Sequence, residues 1–450
     1  MFLPTLVNRS LSHRLWCGAQ GLTMKLQPAD AAHLLRRFAF GATSREMSDY
    51  SDLNKNQAVA ALLAGDTPIR GLDPSQIGNA AVLEAQEHWL AHLYDSAASA
   101  TDRQHFFWHD HFSIISRKVR SGELTWEVHG EMRRLALANF DSLLRAVSFS
   151  PAMMIHLDNH TNVTGSPQEN FARELLELHT IGNGSFSESD VVAMAQAWTG
   201  HGLSGSRGGG DLSYLFRRGR HDPSPATMFG MTKSWSAADT LDELTSGAKA
   251  SDTARYLVRK LLDFYVGDHV GQALVNDLAA AFRDDDMNVR RLLRRIADLD
   301  EFWAPAARYS RVRSPLEYTM SLSRAMGVAP ADSGLRAHML GMGMELFQPP
   351  GVAGWGSHTG WISTSNTWAK ERWLRAIAVE VDEDWGLGEM TQVDAVSELL
   401  RRMGIHEPLA QTPTAVSNWL GSNAALRSDP RQLQIEAIGF AGHLPEVQLS

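Results

Sequence analysis

The sequence predicts a mainly α fold, a multi-helix globular body with long irregular Gly/Trp-rich loops and at most a small β-hairpin. Three observations carry this. Apolar residues recur at three- and four-residue spacings along most of the chain, helix-start signals of the Ser/Thr-x-x-Glu/Gln kind stand before several of those stretches, and only two short pieces, 214–216 and 227–229, read as strands. With 450 residues, 44% of them hydrophobic and 21% charged, core size is not limiting.

The elements follow in order. Ala32, Leu34, Leu35 and Phe38 pattern a helix that stops near Gly41, and Thr43 or Ser44, with Glu46 near its start, caps a second one running toward Gly65. Asp66 to Asn79, with Pro68 and Pro74, is a connecting loop. A long helix fits 80–96, with Leu83, Trp89, Leu90 and Leu93 as its apolar positions, and Thr101 to Gln104 offers a capping box for a helix through Phe112. Further helices fit 122–138, 140–149 and 188–198. Gly200 to Asp211 holds six glycines and two serines and reads as a loop. Tyr214–Phe216 and Thr227–Phe229 are expected to pair around Arg220 to Pro223. Helical patterning returns over 237–244, 252–266, 271–284, 289–297 and 315–326, before an irregular Gly/Trp-rich stretch, 341–365, interrupted by Pro349 and Pro350. A helix from Thr367 precedes a helical tail. The expected organisation is a poorly ordered leader over 1–26, a main helical domain over 27–383, and a small helical C-terminal tail over 384–450 packed on it.

Composition excludes several classes. A net charge of -9 offers no overall basic balance for nucleic acid. No apolar run reaches the roughly 18 residues of a membrane span. Cys17 is the single cysteine, so no intrachain disulfide forms. No Gly-x-Ser-x-Gly elbow occurs, and the glycine run after Gly200 lacks the Gly-Lys-Ser/Thr ending of a phosphate loop. Arg9 and Arg14 interrupt any signal-peptide core, so the cytoplasm is the expected compartment.

The most informative stretch is Ser166 to Gly182. Ser166 and Glu169 form a capping box, Pro167 suits a first turn and Gly182 a left-handed stop, which predicts a helix over 167–181. At about 100° per residue, Glu169, Asn170, Arg173, Glu174 and Glu177 share one arc. Phe171, Ala172, Leu175, Leu176 and Leu178 fill the other, and His179 falls inside it. A solvated face and a core imidazole explain these features as well as a site does. In the helix ending at Phe112, His105 and His109 share a face, while His111 projects to the opposite side beside Trp108. His221 and Asp222 lie in a loop, where a turn-forming Asp before Pro223 is the plain alternative. Imidazoles and carboxylates of this kind are the ligands a divalent transition metal takes. Converging, His109, His111, His179 and His221 would be metal ligands, while His111, Glu174, His179, Arg173 and Asp222 would be the catalytic groups.

Several motifs occur in an order that resembles the bacterial family carrying domain of unknown function 1800. They are His33-Leu-Leu-Arg-Arg37 with Phe40-Gly-Ala-Thr43, Phe107-Trp-His-Asp-His-Phe112, Pro151 to Asn159, and Glu169 to His179. The series continues through His221-Asp222, Arg259-Lys-Leu261, Ser314-Pro315, Pro349 to Trp355 and Trp361-Ile-Ser-Thr364. The match covers roughly Gln27 to the C-terminus. Asp110 stands where the family usually has Asn, Met344 where Gln is common and Arg313 where Lys is common. The resemblance brings no activity. It implies a periplasmic alternative for the compartment and a companion protein resembling the alkaline-phosphatase superfamily.

Two functions are therefore expected to compete. One is a metal-dependent hydrolase or oxidoreductase with a His/Glu/Asp site acting on a small molecule or carbohydrate; Trp355 and Trp361 would line its pocket or stack on a sugar ring, although a tryptophan plug against the helical body explains them better. The other is a non-enzymatic assembly or maturation partner, in which the same polar cluster is an ion-pair network that holds the fold.

Overall fold

The computed structural model describes residues 24–64, 82–205, 212–356 and 358–450. The expected leader, apart from its last three residues, and the connecting loop 66–79 lie outside these, as does 206–211 of the glycine-rich stretch.

Helices α1 (Pro28–Phe38), α2 (Ser44–Ser51) and α3 (Lys55–Ala64) open the chain. Thr43 and Glu46 close a reciprocal capping box on α2. The helix expected to run on to Gly65 breaks at Asn54, whose side chain and backbone exchange hydrogen bonds with Gln57 at 3.0 Å each and so start α3 afresh. Next come α4 (Val82–Asp95), α5 (Ala100–Phe112), α6 (Gly122–Arg134), α7 (Phe140–Ser148) and α8 (Pro151–His156). The cap of α5 is Ser99, whose hydroxyl accepts from Thr101 N–H, and not Thr101 itself.

The helix expected over 167–181 is shorter and irregular. It begins at Asn170 as α9 (Asn170–Glu174) and widens into a π-turn over Leu175–Thr180. The Ser166 capping box does not form. Ser166 N–H bonds to Val163 O instead, and the Asn162 side chain accepts from Gln168 N–H at 3.0 Å. Each residue of a wider turn advances by less than 100°, so Thr180 swings fully into the core while Leu178, expected inside, is only half-buried. His179 is buried, 2% exposed. Two last-turn carbonyls take donors from other helices, Leu178 O from the Tyr256 hydroxyl at 2.9 Å and His179 O from His111.

After α10 (Glu188–Ala197), β1 (His201–Ser204) pairs antiparallel with β2 (Ser213–Phe216), and β3 (Ala226–Met228) with β4 (Met231–Lys233). Both pairings correct the expected one. Residues 201–204 are strand rather than loop, because His201, Gly202 and Leu203 are buried, with the His201 ring against Phe149, Trp198 and Phe216. Tyr214–Phe216 therefore pairs backward, and 227–229 finds its partner three residues on.

Besides single turns at Ser116–Val119, Asp300–Trp303 and Pro445–Gln448, the further α-helices are α11 (Ala237–Thr245), α12 (Ala250–Tyr265), α13 (Gln272–Asp284), α14 (Val289–Asp298), α15 (Pro315–Met326), α16 (Leu335–Gly341), α17 (Thr364–Glu380), α18 (Gln392–Arg402), α19 (Thr412–Ser422) and α20 (Pro430–Ala441). The two small sheets are the strands found among the described residues, so the fold is mainly α. No helix among these residues is long and apolar enough to cross a membrane.

Two apolar cores organise the chain. One gathers α1, α3, most of α5 to α14 and the turn at Phe302. The other joins α4, Phe106 and Trp126 to α15 through α20. Residues of 384–450 share this second core with α17, where Trp373 is fully buried and the Tyr318 hydroxyl donates to Gly442 O. Helix α5 passes between the two cores, with Phe106 in one and Phe107, Trp108 and Phe112 in the other. Every residue of α5 except Asp110 is buried. The buried charges of α5 are paired, Asp102 with Arg133 at 2.7 Å and Arg103 with Glu317, as burial of ionised groups requires.

Candidate functional site

Asp110, the one residue of α5 that escapes full burial, opens on a cavity of about 260 Å³. The walls come from distant parts of the chain: Phe106, Phe107 and Asp110 of α5, Lys260, Asp263 and Phe264 of α12, and Arg311, Ser314 and Glu317 around the start of α15. Met344, Trp355, Gly356 and Trp361 come from the irregular stretch. The floor is an ion triad. Glu317 accepts from Arg103, from Arg311 at 3.3 Å and, through the α15 capping box, from Ser314 N–H at 2.8 Å. The two guanidiniums hold the Glu317 carboxyl well below the usual carboxylate range despite its burial. Both also lie over the Phe264 ring, 4.3 and 4.9 Å from its centroid.

Above this floor, burial pushes three groups toward their neutral forms. The Lys260 amine is lowered by burial, with Asp110 opposing. The Asp110 carboxyl is raised by burial, against the Trp355 N–H it accepts at 2.8 Å and the charge of Lys260. Asp263 is pushed up to about 6 by burial, although Arg259 lies 3.5 Å away. Groups displaced from their ordinary ranges inside a cleft are what acid–base chemistry uses.

The histidines separate into distinct places. His111 Nε2 donates to His179 O at 3.1 Å and His179 Nδ1 donates back to His111 O at 3.1 Å, a reciprocal clamp between α5 and the π-turn. Since Nε2 of His111 carries its proton, Nδ1 is an acceptor and takes a hydrogen bond from Lys260 Nζ at 3.1 Å. His109 projects the other way, stacked on Trp89 with centroids 5.4 Å apart, its Nε2 accepting from Phe347 N–H at 2.9 Å. His221 donates through Nδ1 to Thr199 O at 3.0 Å beside Phe216, and Asp222 is half-buried in a turn that holds Ser224 N–H. Arg173 pairs with Glu188 and Glu169 on the outer face. Glu174 is half-buried there, its carboxyl raised by burial and by Glu177.

The structure thus brings His111 and His179 together, and His109, His221, Asp222, Arg173 and Glu174 join neither them nor one another in a single cavity. Among the described residues, no three His, Cys, Asp or Glu side chains gather so that they could hold a metal ion. The expected four-histidine set does not fit a divalent transition metal for a plain reason. Both ring nitrogens of His111 are already committed, and His109 faces away from it across α5.

The family described as "Protein of unknown function (DUF1800)" matches residues 33–449 of the 450. The chain belongs to that family. No curated protein and no solved structure matches it.

In this DUF1800 member Trp355 and Trp361 line the cavity, but its charged residues differ from those that sequence reasoning selects. Lys260 stands in the Arg259-Lys-Leu261 motif and Asp110 in Phe107 to Phe112, yet neither is given a catalytic or ligand role from sequence. Asp263 and Arg311 carry no signal of their own, since Arg259 and Asp263 at a four-residue spacing look like an ordinary surface pair. Gly354 fixes the loop that closes the cavity. Its φ is +84°, and an added Cβ would run into the Asp110 carboxylate and lie 2.8 Å from Asp110 O. Gly354→Ala is expected to cost about 1–3 kcal/mol from the backbone alone, read by denaturant unfolding. A variant as stable as the parent would show that the loop yields freely.

Proposed function

We propose that this chain is an acid–base enzyme acting on a small polar molecule that binds in the Asp110–Lys260–Asp263 cavity. The observation that carries the reading is a pair of buried polar atoms without hydrogen-bond partners on two lining residues, Arg311 Nε and Trp355 Nε1, beside Asp263, whose Oδ1 has an ion pair with Arg259 at 3.5 Å in place of a hydrogen bond. Each such atom costs about 1–3 kcal/mol when left unsatisfied, and a molecule that offers it a partner recovers that cost. Convergent polar groups between aromatic walls are the usual form of a small-molecule site. Asp263, at about 6, donates a proton near that pH and accepts one above it. Lys260 serves as the second proton-transfer group. The metal-dependent form expected from sequence lacks its ligand group among the described residues and supplies no step here.

Ligand-observed NMR with a fragment library, followed by crystal soaks, tests this reading. Fragments are expected to seat between Trp361 and Lys260, and Trp361→Ala to weaken them about tenfold, or ~1.4 kcal/mol, while Trp368→Ala does not. Fragments that seat only elsewhere, or none at all, would remove the proposal.

One observation favours the assembly reading as a second function. Leu340, Ile362 and Trp368, on or beside α16 and α17, are 51%, 64% and 67% exposed, an apolar presence suited to a companion protein. If so, Trp368→Arg should abolish co-purification with that companion, and retained co-purification would end this reading.

A further inference from the structure

We infer that the Lys260 amine is a nucleophile, and that the molecule taken into the cavity is a small aldehyde or ketone held on it as an imine. The inference rests on the acid–base reading of this cavity and names its substrate class. Lys260 is the one lysine that lines the cavity. Among the described residues its hydrogen-bond partner is His111 Nδ1, and it makes no salt bridge. That partner is unusual for a lysine, because a neutral imidazole nitrogen brings no charge to hold the ammonium form. The His111–His179 clamp fixes the acceptor in place, so one amine N–H is directed at it. The lone pair of the unprotonated amine is left for another partner. Burial favours that unprotonated form.

The other lysines sharpen the contrast. Lys25, Lys118, Lys233 and Lys249 are paired with carboxylates. Lys55 lies over the Trp303 ring at 4.8 Å, closer than Lys260 lies to the Tyr256 ring at 5.5 Å. Lys370 is also lowered by burial, to about 8, but it donates to the Gln448 side chain and stands outside the cavity. It is the internal control for burial without a site.

The chemistry balances with groups already present. The nitrogen lone pair adds to the carbonyl carbon, and the C=O π electrons move to oxygen, which takes a proton from the Asp263 carboxyl. The nitrogen then gives a proton to that carboxylate, leaving a neutral carbinolamine. Asp263 returns the proton to the hydroxyl, which departs as water while the nitrogen lone pair forms C=N. The protonated imine then gives its proton back to Asp263. Amine plus carbonyl gives imine plus water, with no oxidant and no net proton.

The test uses the full chain with pyruvate or dihydroxyacetone as probe and sodium cyanoborohydride to reduce any imine, followed by peptide mapping of its seven lysines. Lys260 is expected to carry at least ten times the label of Lys370 and of each surface lysine. Because the label is read on the parent protein, the result does not depend on whether Lys260→Met folds. Where that variant does fold, it should lose the adduct. Uniform labelling, or reduction of surface lysines with Lys260 unlabelled, overturns the inference. If a soaked crystal then shows the probe seated in the cavity, the acid–base reading survives without the nucleophile. If no probe or fragment seats there, both fail.

Discussion

Acidification from pH 8 to pH 5 is expected to unfold this protein, well above the pH at which carboxylate protonation usually does so. His105, His109, His111, His129 and His179 are each 2% exposed or less, and burial lowers all five, His109 to about 4 and His179 to about 3. Their folded values lie below the 6.5 of an exposed imidazole, so between 6.5 and the folded value the unfolded chain binds more protons. The stability they confer is complete above about 6.5 and drains away as the pH falls toward 4 and 3. At pH 5 a histidine kept neutral in the fold and free to charge in the unfolded chain contributes about 2 kcal/mol to unfolding. His109 and His179 alone then remove about 4 kcal/mol, and the other three act in the same direction, against a typical total of 5–15 kcal/mol. Circular dichroism and tryptophan fluorescence followed across a pH titration check this. A midpoint below pH 4 would mean that the imidazoles reach water before the fold is lost.

Glu317→Ala is expected to be the most damaging single substitution in the cavity floor. It leaves the Arg103 and Arg311 guanidiniums, both buried, facing each other without their shared acceptor. Removing one partner of a buried ion pair costs about 3–5 kcal/mol, and losing half of the α15 capping box adds to it. Glu317→Gln keeps an oxygen for Ser314 N–H and should recover part of the loss. The pH dependence separates this group from the histidines, since a depressed carboxyl gives stability that is present above about 4.5 and is lost only below it. Denaturant unfolding at pH 8, where the imidazoles are silent, isolates the effect. A loss under about 1 kcal/mol would show that burying the triad costs as much as the triad returns.

Local signals were legible wherever the chain obeys them locally. Ser314, Pro315 and Glu317 start α15 where a capping box followed by apolar spacing places it, and the Thr43–Glu46 box does the same for α2. The π-turn after Glu174 was not legible, because a spacing pattern read at a constant angle carries no sign of a wider turn. The strand at 201–204 was hidden by the glycine-rich stretch around it, since what makes it a strand is the burial of Leu203 and of His201, whose ring packs on Phe149, Trp198 and Phe216. At the cavity, reading by residue type drew attention to histidine, the side chain with the widest chemistry. Most of those imidazoles are held in aromatic walls by backbone partners, and the charged groups that share a void are a lysine, two aspartates, a glutamate and an arginine, Asp110 to Glu317, spread over about two hundred positions. Convergence of that kind is a property of packing between elements, which no short window of sequence contains.

The backbone beside Arg311 has an edge partner that arrives late. Arg311 and Ser450 exchange N–H···O bonds, Arg313 N–H reaches Gln448 O, and the Arg313 side chain holds Leu449 O from 136 positions away. Chains emerge at about 5–20 residues per second and fold from the N-terminal side, so α5 and α12 have on the order of ten seconds or more to settle before the segment that braces the third wall exists. A nascent chain therefore passes through a stage in which most of the first core is built while the void beside it is still open on one side.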